Sequence, residues 1–282
     1  RGLFFTEPDG TGPLPSTCDP VLAGRFLCDA IGKRLTSTLG YTVMYDTRDS
    51  RLRPTRGHSV SLSQDFAGLG GDVKYIRSRL NANKYWRLTD SGFVFSLSAE
   101  GGYIHPLENR GSSAAGIDDV RLTDRFYLGE PQIRGFDIRG VGPRVQRIFF
   151  DGEIQNGVAV NVPRLDRKQI QDDAIGGRAY YLGRAELEIP LGSGAKELGL
   201  RPSIFVDAGA VFNVVTPLLQ TIQERSTATT TTPSLPLFYT VNTSGTTPVL
   251  ETTTVATNPD GSARVPVLRF EERFFGDSWK PR

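Results

Sequence analysis

Arg134, Gly135 and Phe136 stand near the middle of a sixteen-residue segment, Gly129 to Arg144, that contains three Arg, two Pro and four Gly. Pro and Gly interrupt both long helices and central strands, so the segment reads as an ordered loop. A guanidinium is a permanent cation with a planar fork of donors, and it can take two carboxylates through separate N–H edges, which Lys cannot do. Gly135 lets the backbone turn, and Phe136 offers a large apolar ring to a wall. The acids placed to answer Arg134 are Glu186 and Asp207, which fall on the polar parity of two successive strand patterns just after this loop. The expectation is therefore an ion pair between Arg134 and Asp207, with Glu186 close enough to share the guanidinium. A solvated turn is the plain alternative for such a composition.

Other chemistries find less support. His58 and His105 are the only histidines, and neither has a second His at ligand spacing, so a tetrahedral zinc site and a His-based triad both lack their parts. No metal, cofactor or catalytic residue is expected, and the chain reads as no enzyme. The carboxylate pairs Asp118-Asp119, Asp172-Asp173 and Glu186 with Glu188 read as solvated or lumen-facing charges. Gly68-Leu69-Gly70-Gly71 lacks the following helix start with Lys-Ser/Thr that a phosphate cradle needs, so it reads as a hairpin tip. Cys18 and Cys28 are the only cysteines. Asp19-Pro20 is a good helix start, yet a continuous helix would hold the two Cα atoms about 14 Å apart, roughly twice the reach of a disulfide. Helix and bridge exclude one another; an oxidising compartment favours the bridge, and the alternative is one buried and one free thiol.

The elements that must position Arg134 and its acids are strands. Tyr41, Val43 and Tyr45 alternate with Thr42, Met44 and Asp46, and Val60, Leu62 and Phe66 alternate with serines and Asp65. After them, Ile76, Leu80 and Ala82 oppose Arg77, Arg79, Asn81 and Asn83, while Phe93, Phe95, Leu97, Ala99 and Tyr103 oppose Ser96, Ser98 and Glu100. Period-two alternation over such lengths predicts four strands across 39–105. The same alternation predicts two more across 178–213, in which Leu187 and Ile204 oppose Glu186 and Asp207. Residues 1–38 and 106–177 read as long loops, and 214–282 as a long Thr/Ser-rich loop too polar to hold a core. Asn242-Thr243-Ser244 there matches a glycosylation acceptor only in form.

Composition narrows the class. Apolar residues make up 38% with mean hydropathy of −0.27, and no run approaches the roughly 18 apolar residues that a spanning helix needs, so a helical membrane protein is excluded. Spanning strands leave a weaker trace, since only alternate residues face lipid over about 10 positions. The apolar face here is small and aromatic, with Tyr41 and Phe95 among the residues expected to face lipid, together with Leu187 and Ile204. A net charge of +2, from 33 basic and 31 acidic residues scattered along the chain, offers no basic stripe, so nucleic acid is not an expected partner. The opening Arg1-Gly2-Leu3-Phe4-Phe5 is too short for the apolar core of a signal peptide.

The loop around Arg134-Gly135-Phe136 resembles the conserved-loop signature of the Omp85 outer-membrane proteins, in their BamA branch. Two further stretches resemble the same family: Gly176-Gly177 opening the strand that contains Glu186, and Phe205-Val206-Asp207-Ala208-Gly209 in the next strand. Three ordered motifs are more specific than one, and the resemblance runs from about Leu39 to Phe212. It implies an all-β fold, part of a transmembrane antiparallel up-and-down β-barrel, with about six of roughly sixteen strands present. It implies that Arg134, Gly135 and Phe136 dock in the lumen against Glu186, Asp207 and Gly209. It also implies a Gram-negative outer-membrane location and a subunit that folds and inserts β-barrel proteins. The partners implied are outer-membrane lipid, nascent barrels and the lipoprotein subunits of an assembly machine. A secretion pore or TamA-like factor of the same superfamily is the second reading, a porin-like channel or a soluble β-rich binding module a further one.

Overall fold

The computed structural model describes residues 5–6, 17–18, 33–110, 116–191, 201–227, 234–244 and 247–281. Near the start, β1 (Phe5–Thr6) pairs with β2 (Thr17–Cys18). Cys28 and the side chain of Cys18 lie outside the described residues, and so does the bridge expected between them. The largest element is a six-stranded antiparallel sheet. It consists of β3 (Thr38–Asp46), β4 (Gly57–Ala67), β5 (Tyr75–Arg87), β6 (Val94–Pro106), β11 (Ala179–Glu188) and β12 (Ser203–Phe212), each hydrogen-bonded to the next. Among the described residues no helix is long and apolar enough to cross a membrane.

Register carries the alternation from strand to strand, because directly opposed residues share a face. Trp86, Phe95, Leu187 and Ile204 form one row, and Leu62, Leu80, Gly101, Tyr181 and Ala210 another. This face is apolar and uncovered: Tyr41 is 49% exposed and Ile204 65%. The opposite face carries Asp65, Arg79, Asn81, Asn83, Glu100, Arg184, Glu186 and Asp207. An apolar face of this extent is a liability in water and the stable arrangement against hydrocarbon.

The two long connections differ from the strandless loops expected. Between β6 and β11 the chain forms β7 (Phe136–Val141), β8 (Arg144–Gln155), β9 (Val158–Pro163) and β10 (Gln171–Ala174). After β12 it forms β13 (Thr221–Gln223), β14 (Phe238–Asn242), β15 (Val249–Thr253), β16 (Leu268–Phe275) and β17 (Trp279–Pro281). The two segments pair with each other: β8 lies between β10 and β16 in a second sheet, and β7 pairs with β17. The alternation is hidden because both parities of β8 are covered. Val145 and Ile148 are buried as apolar groups, while the buried Arg147 is neutralised by Glu272 at 2.7 Å and lies 4.1 Å over the ring of Phe270.

Docking of the connection against the polar face of the six-stranded sheet creates the core. Leu128, Ile133 and Val141 from the connection pack on Tyr180, Leu182 and Val211 of β11 and β12, and Phe126 and Phe136 close the margin. A second cluster joins Val120 to Ala67, Val73, Tyr75 and Ile104. The inner face is thus split, with an apolar patch under the loop and a charged strip beyond it.

Candidate functional site

The loop that carries Arg134 is bent by a local turn in which the Ile133 N–H donates to the Gly129 carbonyl at 3.1 Å. Gly135 adopts a φ of +87°, a left-handed conformation that side chains with a Cβ rarely take. The bend aims Arg134 at the sheet while Ile133 and Phe136 remain on the apolar patch. Asp207 comes from β12 and Glu186 from β11, and their strands are in register with Arg184 opposite Asp207 and Phe205 opposite Glu186.

These residues meet on the polar face. Arg134 Nε donates to Asp207 Oδ2 at 3.0 Å and Nη2 to Oδ1 at 3.1 Å, the two parallel bonds of a fork on a carboxylate. The Arg134 backbone N–H adds a third contact to the same carboxylate at 3.3 Å. Nη2 also reaches Glu186 Oε2 at 3.3 Å. The guanidinium carbon lies 3.1 Å from the centre of the Phe205 ring, so the cation is stacked on an aromatic face as well as paired at its edge. Asp207 is nearly enclosed, with 4% of its side chain exposed, whereas Arg134 and Glu186 keep 32% and 29%. Hydrogen bonding to Asp207 raises the Arg134 pKa above its ordinary value, which keeps the cation fully formed.

Arg184 and Phe205 are partners that the sequence reading did not single out. Arg184 donates to Asp207 through Nε at 2.9 Å and to the Gln132 carbonyl of the loop through Nη2 at 2.7 Å. Asp207 is therefore an acceptor shared by two guanidinium groups, one from the loop and one from the wall. Parity alone could have flagged both: Arg184 shares a face with Glu186, and Phe205 with Asp207. Gly209, two residues beyond Asp207 and opposite Leu182 in register, has no side chain to offer Arg134. A Cβ there would lie 2.8 Å from the Tyr181 carbonyl and 2.9 Å from Leu128 Cδ2, so its hydrogen atom is what lets Leu128 bury itself against β12.

Asp118 corrects the reading of its pair as solvated or lumen-facing. Its side chain is 1% exposed and accepts from Arg178 Nε at 2.9 Å, from the Val120 N–H at 2.8 Å and from the Val215 N–H at 2.8 Å. Arg178 precedes β11 and Val215 follows β12, so one buried carboxylate ties the connection to both ends of the strand pair. Burial was hidden because nothing in the local sequence reveals which partners will surround an Asp-Asp pair. Asp172 instead pairs with Arg144 at 2.6 Å. Phe126 of the connection forms a bridge with Gly177, which places the Gly176-Gly177 stretch where the loop meets the strand.

His58 and His105 lie apart on β4 and β6, and among the described residues no group of His, Cys, Asp and Glu is arranged to hold a metal. What the site can do is hold: a fork, a stacked ring and a shared carboxylate fasten a loop tip to a wall.

A profile of the Omp85 superfamily domain matches residues 21–266, most of the chain and all six strands of the large sheet. The chain belongs to the Omp85 superfamily. Its six-stranded sheet is accordingly an open arc of a β-barrel wall. Over 183 residues it is 31% identical to the outer membrane protein assembly factor BamA of Neorickettsia risticii, covering 65% of this chain and 20% of that protein. It is 33% identical over 191 residues to the sorting and assembly machinery component 50 homolog of Homo sapiens, again covering 65% of this chain and 33% of the relative. This Omp85 chain thus spans between a fifth and a third of the length of these relatives. A crystal structure of BamA from Haemophilus ducreyi lacking POTRA domains 1-3 superposes with a TM-score of 0.46 at 19% identity, over 86% of this chain and 42% of that one.

Proposed function

We propose that this Omp85 chain forms part of the membrane-embedded barrel of a factor that folds and inserts outer-membrane β-barrel proteins. The observation that carries the reading is the Arg134–Asp207 latch, which fastens a long loop to the polar face of the six-stranded sheet at 3.0 Å. A porin-like channel does not require a loop Arg matched to acids on two adjacent wall strands. An assembly factor needs a wall whose interior stays ordered while partner chains are handled at the membrane. The apolar outer rows supply the lipid contact, and the bacterial and human relatives are named as assembly components. In this reading the chain is no enzyme, takes no cofactor and binds no nucleic acid. Its partners are lipid, nascent β-barrels and accessory lipoprotein subunits. The location is a Gram-negative outer membrane. The match to the human sorting and assembly component supports a second reading, the same activity in a eukaryotic membrane.

The test is reconstitution of the full-length protein into lipid vesicles, followed by the folding rate of an added unfolded outer-membrane barrel. Acceleration over empty vesicles that is lost in Asp207→Ala is expected. Folding no faster than in empty vesicles would reject the assembly reading. Solute flux without such acceleration would favour a pore.

A further inference from the structure

Lys84 occupies an unusual position in the large sheet. The outward positions are those that share parity with Tyr41 on β3, Val60 on β4, Leu80 on β5, Leu97 on β6, Tyr181 on β11 and Val206 on β12. Along all six strands, Lys84 is the single Lys, Arg, Asp or Glu at an outward position. Every other charged side chain of these strands is on the inner face. The Lys84 ammonium makes no ion pair or hydrogen bond among the described residues and lies 5.8 Å from the centre of the Trp86 ring. Trp86 in turn stacks on Phe95 at 5.5 Å, and His58, opposite Lys84 in register, stands 5.5 Å from the ring of Tyr45. One cation is thus set among aromatic side chains near the end of β5, three residues before Arg87.

A charged side chain on the lipid face is costly at the midplane and close to free at the interface. That gradient places Lys84 at headgroup depth. The spacing agrees: Ile76, eight residues back, is the first outward residue of β5. Eight residues at about 3.4 Å, tilted by about 40°, span roughly 21 Å of membrane, near the apolar band of about 25 Å. A Trp ring beside an ammonium is the pairing expected where one end of a side chain is apolar and the other wet.

We infer that Lys84, with Trp86 and His58, binds the phosphate headgroup of an anionic phospholipid on the outer wall, at the strand end where β5 turns into β6. The inference rests on the reading of the sheet as a membrane-embedded wall. The ammonium supplies a counter-charge that no other outward group of the six strands provides, and Trp86 and Phe95 cover the glycerol and upper acyl chain. Polar contacts come from the His58 ring, whose Nδ1 is already within 3.0 Å of Thr47 Oγ1, leaving Nε2 for the ligand.

Trp86 is a built-in reporter. The full-length protein is placed in phosphatidylcholine vesicles containing equal mole fractions of either dibrominated phosphatidylglycerol or dibrominated phosphatidylcholine. Quenching of the fluorescence lost in Trp86→Phe is then compared between the two. Because a cationic side chain near an anionic surface is worth about 1 kcal/mol, enrichment of the anionic lipid at Trp86 should approach about fivefold. Lys84→Gln should abolish the preference, Lys84→Arg should retain it, and high salt should weaken it. Equal quenching by the two lipids in the wild type overturns the headgroup site. So does a Trp86 that is unquenched by either lipid while a Trp introduced by Leu80→Trp is quenched, whatever soluble partner then covers the strand end. If neither Trp is quenched, the membrane-wall reading fails and the inference with it.

Discussion

Truncating Asp207 should destabilise the barrel more than truncating Arg134, and both should exceed truncation of Glu186. Asp207→Ala removes the acceptor shared by two guanidinium groups, bonded at 3.0 Å from Arg134 and 2.9 Å from Arg184, from a position where only 4% of the carboxylate side chain was exposed. Both guanidinium groups, each about one-third exposed, lose a charge-assisted partner, which together costs about 3 to 6 kcal/mol. Arg134→Ala leaves Asp207 with the Arg184 fork intact, so the loss is that of one charge-assisted pair, about 1.5 to 3 kcal/mol. Glu186 is 29% exposed and touches Arg134 once at 3.3 Å, which limits Glu186→Ala to at most about 1 kcal/mol. The structure also predicts an incomplete rescue. In the double swap Arg134→Glu with Asp207→Arg, the new acid would face Glu186 and the new base would face Arg184, so only part of the lost stability should return. The assay is denaturant unfolding of the full-length protein in vesicles, followed by the gel mobility of folded against unfolded barrel. An order in which Glu186→Ala is the most damaging, or an Asp207→Ala variant as stable as wild type, would refute the shared-acceptor reasoning.

Gly209→Ala should displace Leu128 from β12 and cost about 1 to 3 kcal/mol as an overpacked contact, measurable by the same unfolding assay. Asp118→Ala should cost about 1.5 to 3 kcal/mol, since Arg178 keeps only Asp119 at 3.3 Å, and hydrogen exchange should rise at Val120 and Val215, whose N–H groups it releases. Burial raises the Asp173 carboxyl in β10 above the usual carboxylate range. A raised folded pKa means that the folded state holds the proton more tightly. The loop sheet should therefore lose stability as pH rises from the unfolded pKa through the folded one and stay lower beyond it. Asp173→Asn should remove that slope in thermal melts between pH 3 and 8.

Strand identity, facing and the acid partners of Arg134 were readable from the residues, because lipid or solvent on one side and polar groups on the other impose a period of two that survives in a single strand. Tyr41, Phe95, Leu187 and Ile204 could be assigned to one face before any contact was known. Where both faces of a strand are covered, that constraint vanishes: β8 and β16 bury Arg147 and Glu272 together with Val145 and Phe270, and no local pattern marks them. The sharing of Asp207 by a second arginine, the enclosure of Asp118 and the close approach of Leu128 to Gly209 depend on residues far apart in the chain. Tertiary packing alone brings them together, since a charge or a missing Cβ acquires its energetic meaning from what surrounds it. The sequence therefore determined which side chains point inward, and the docking of the loop decided which of them touch.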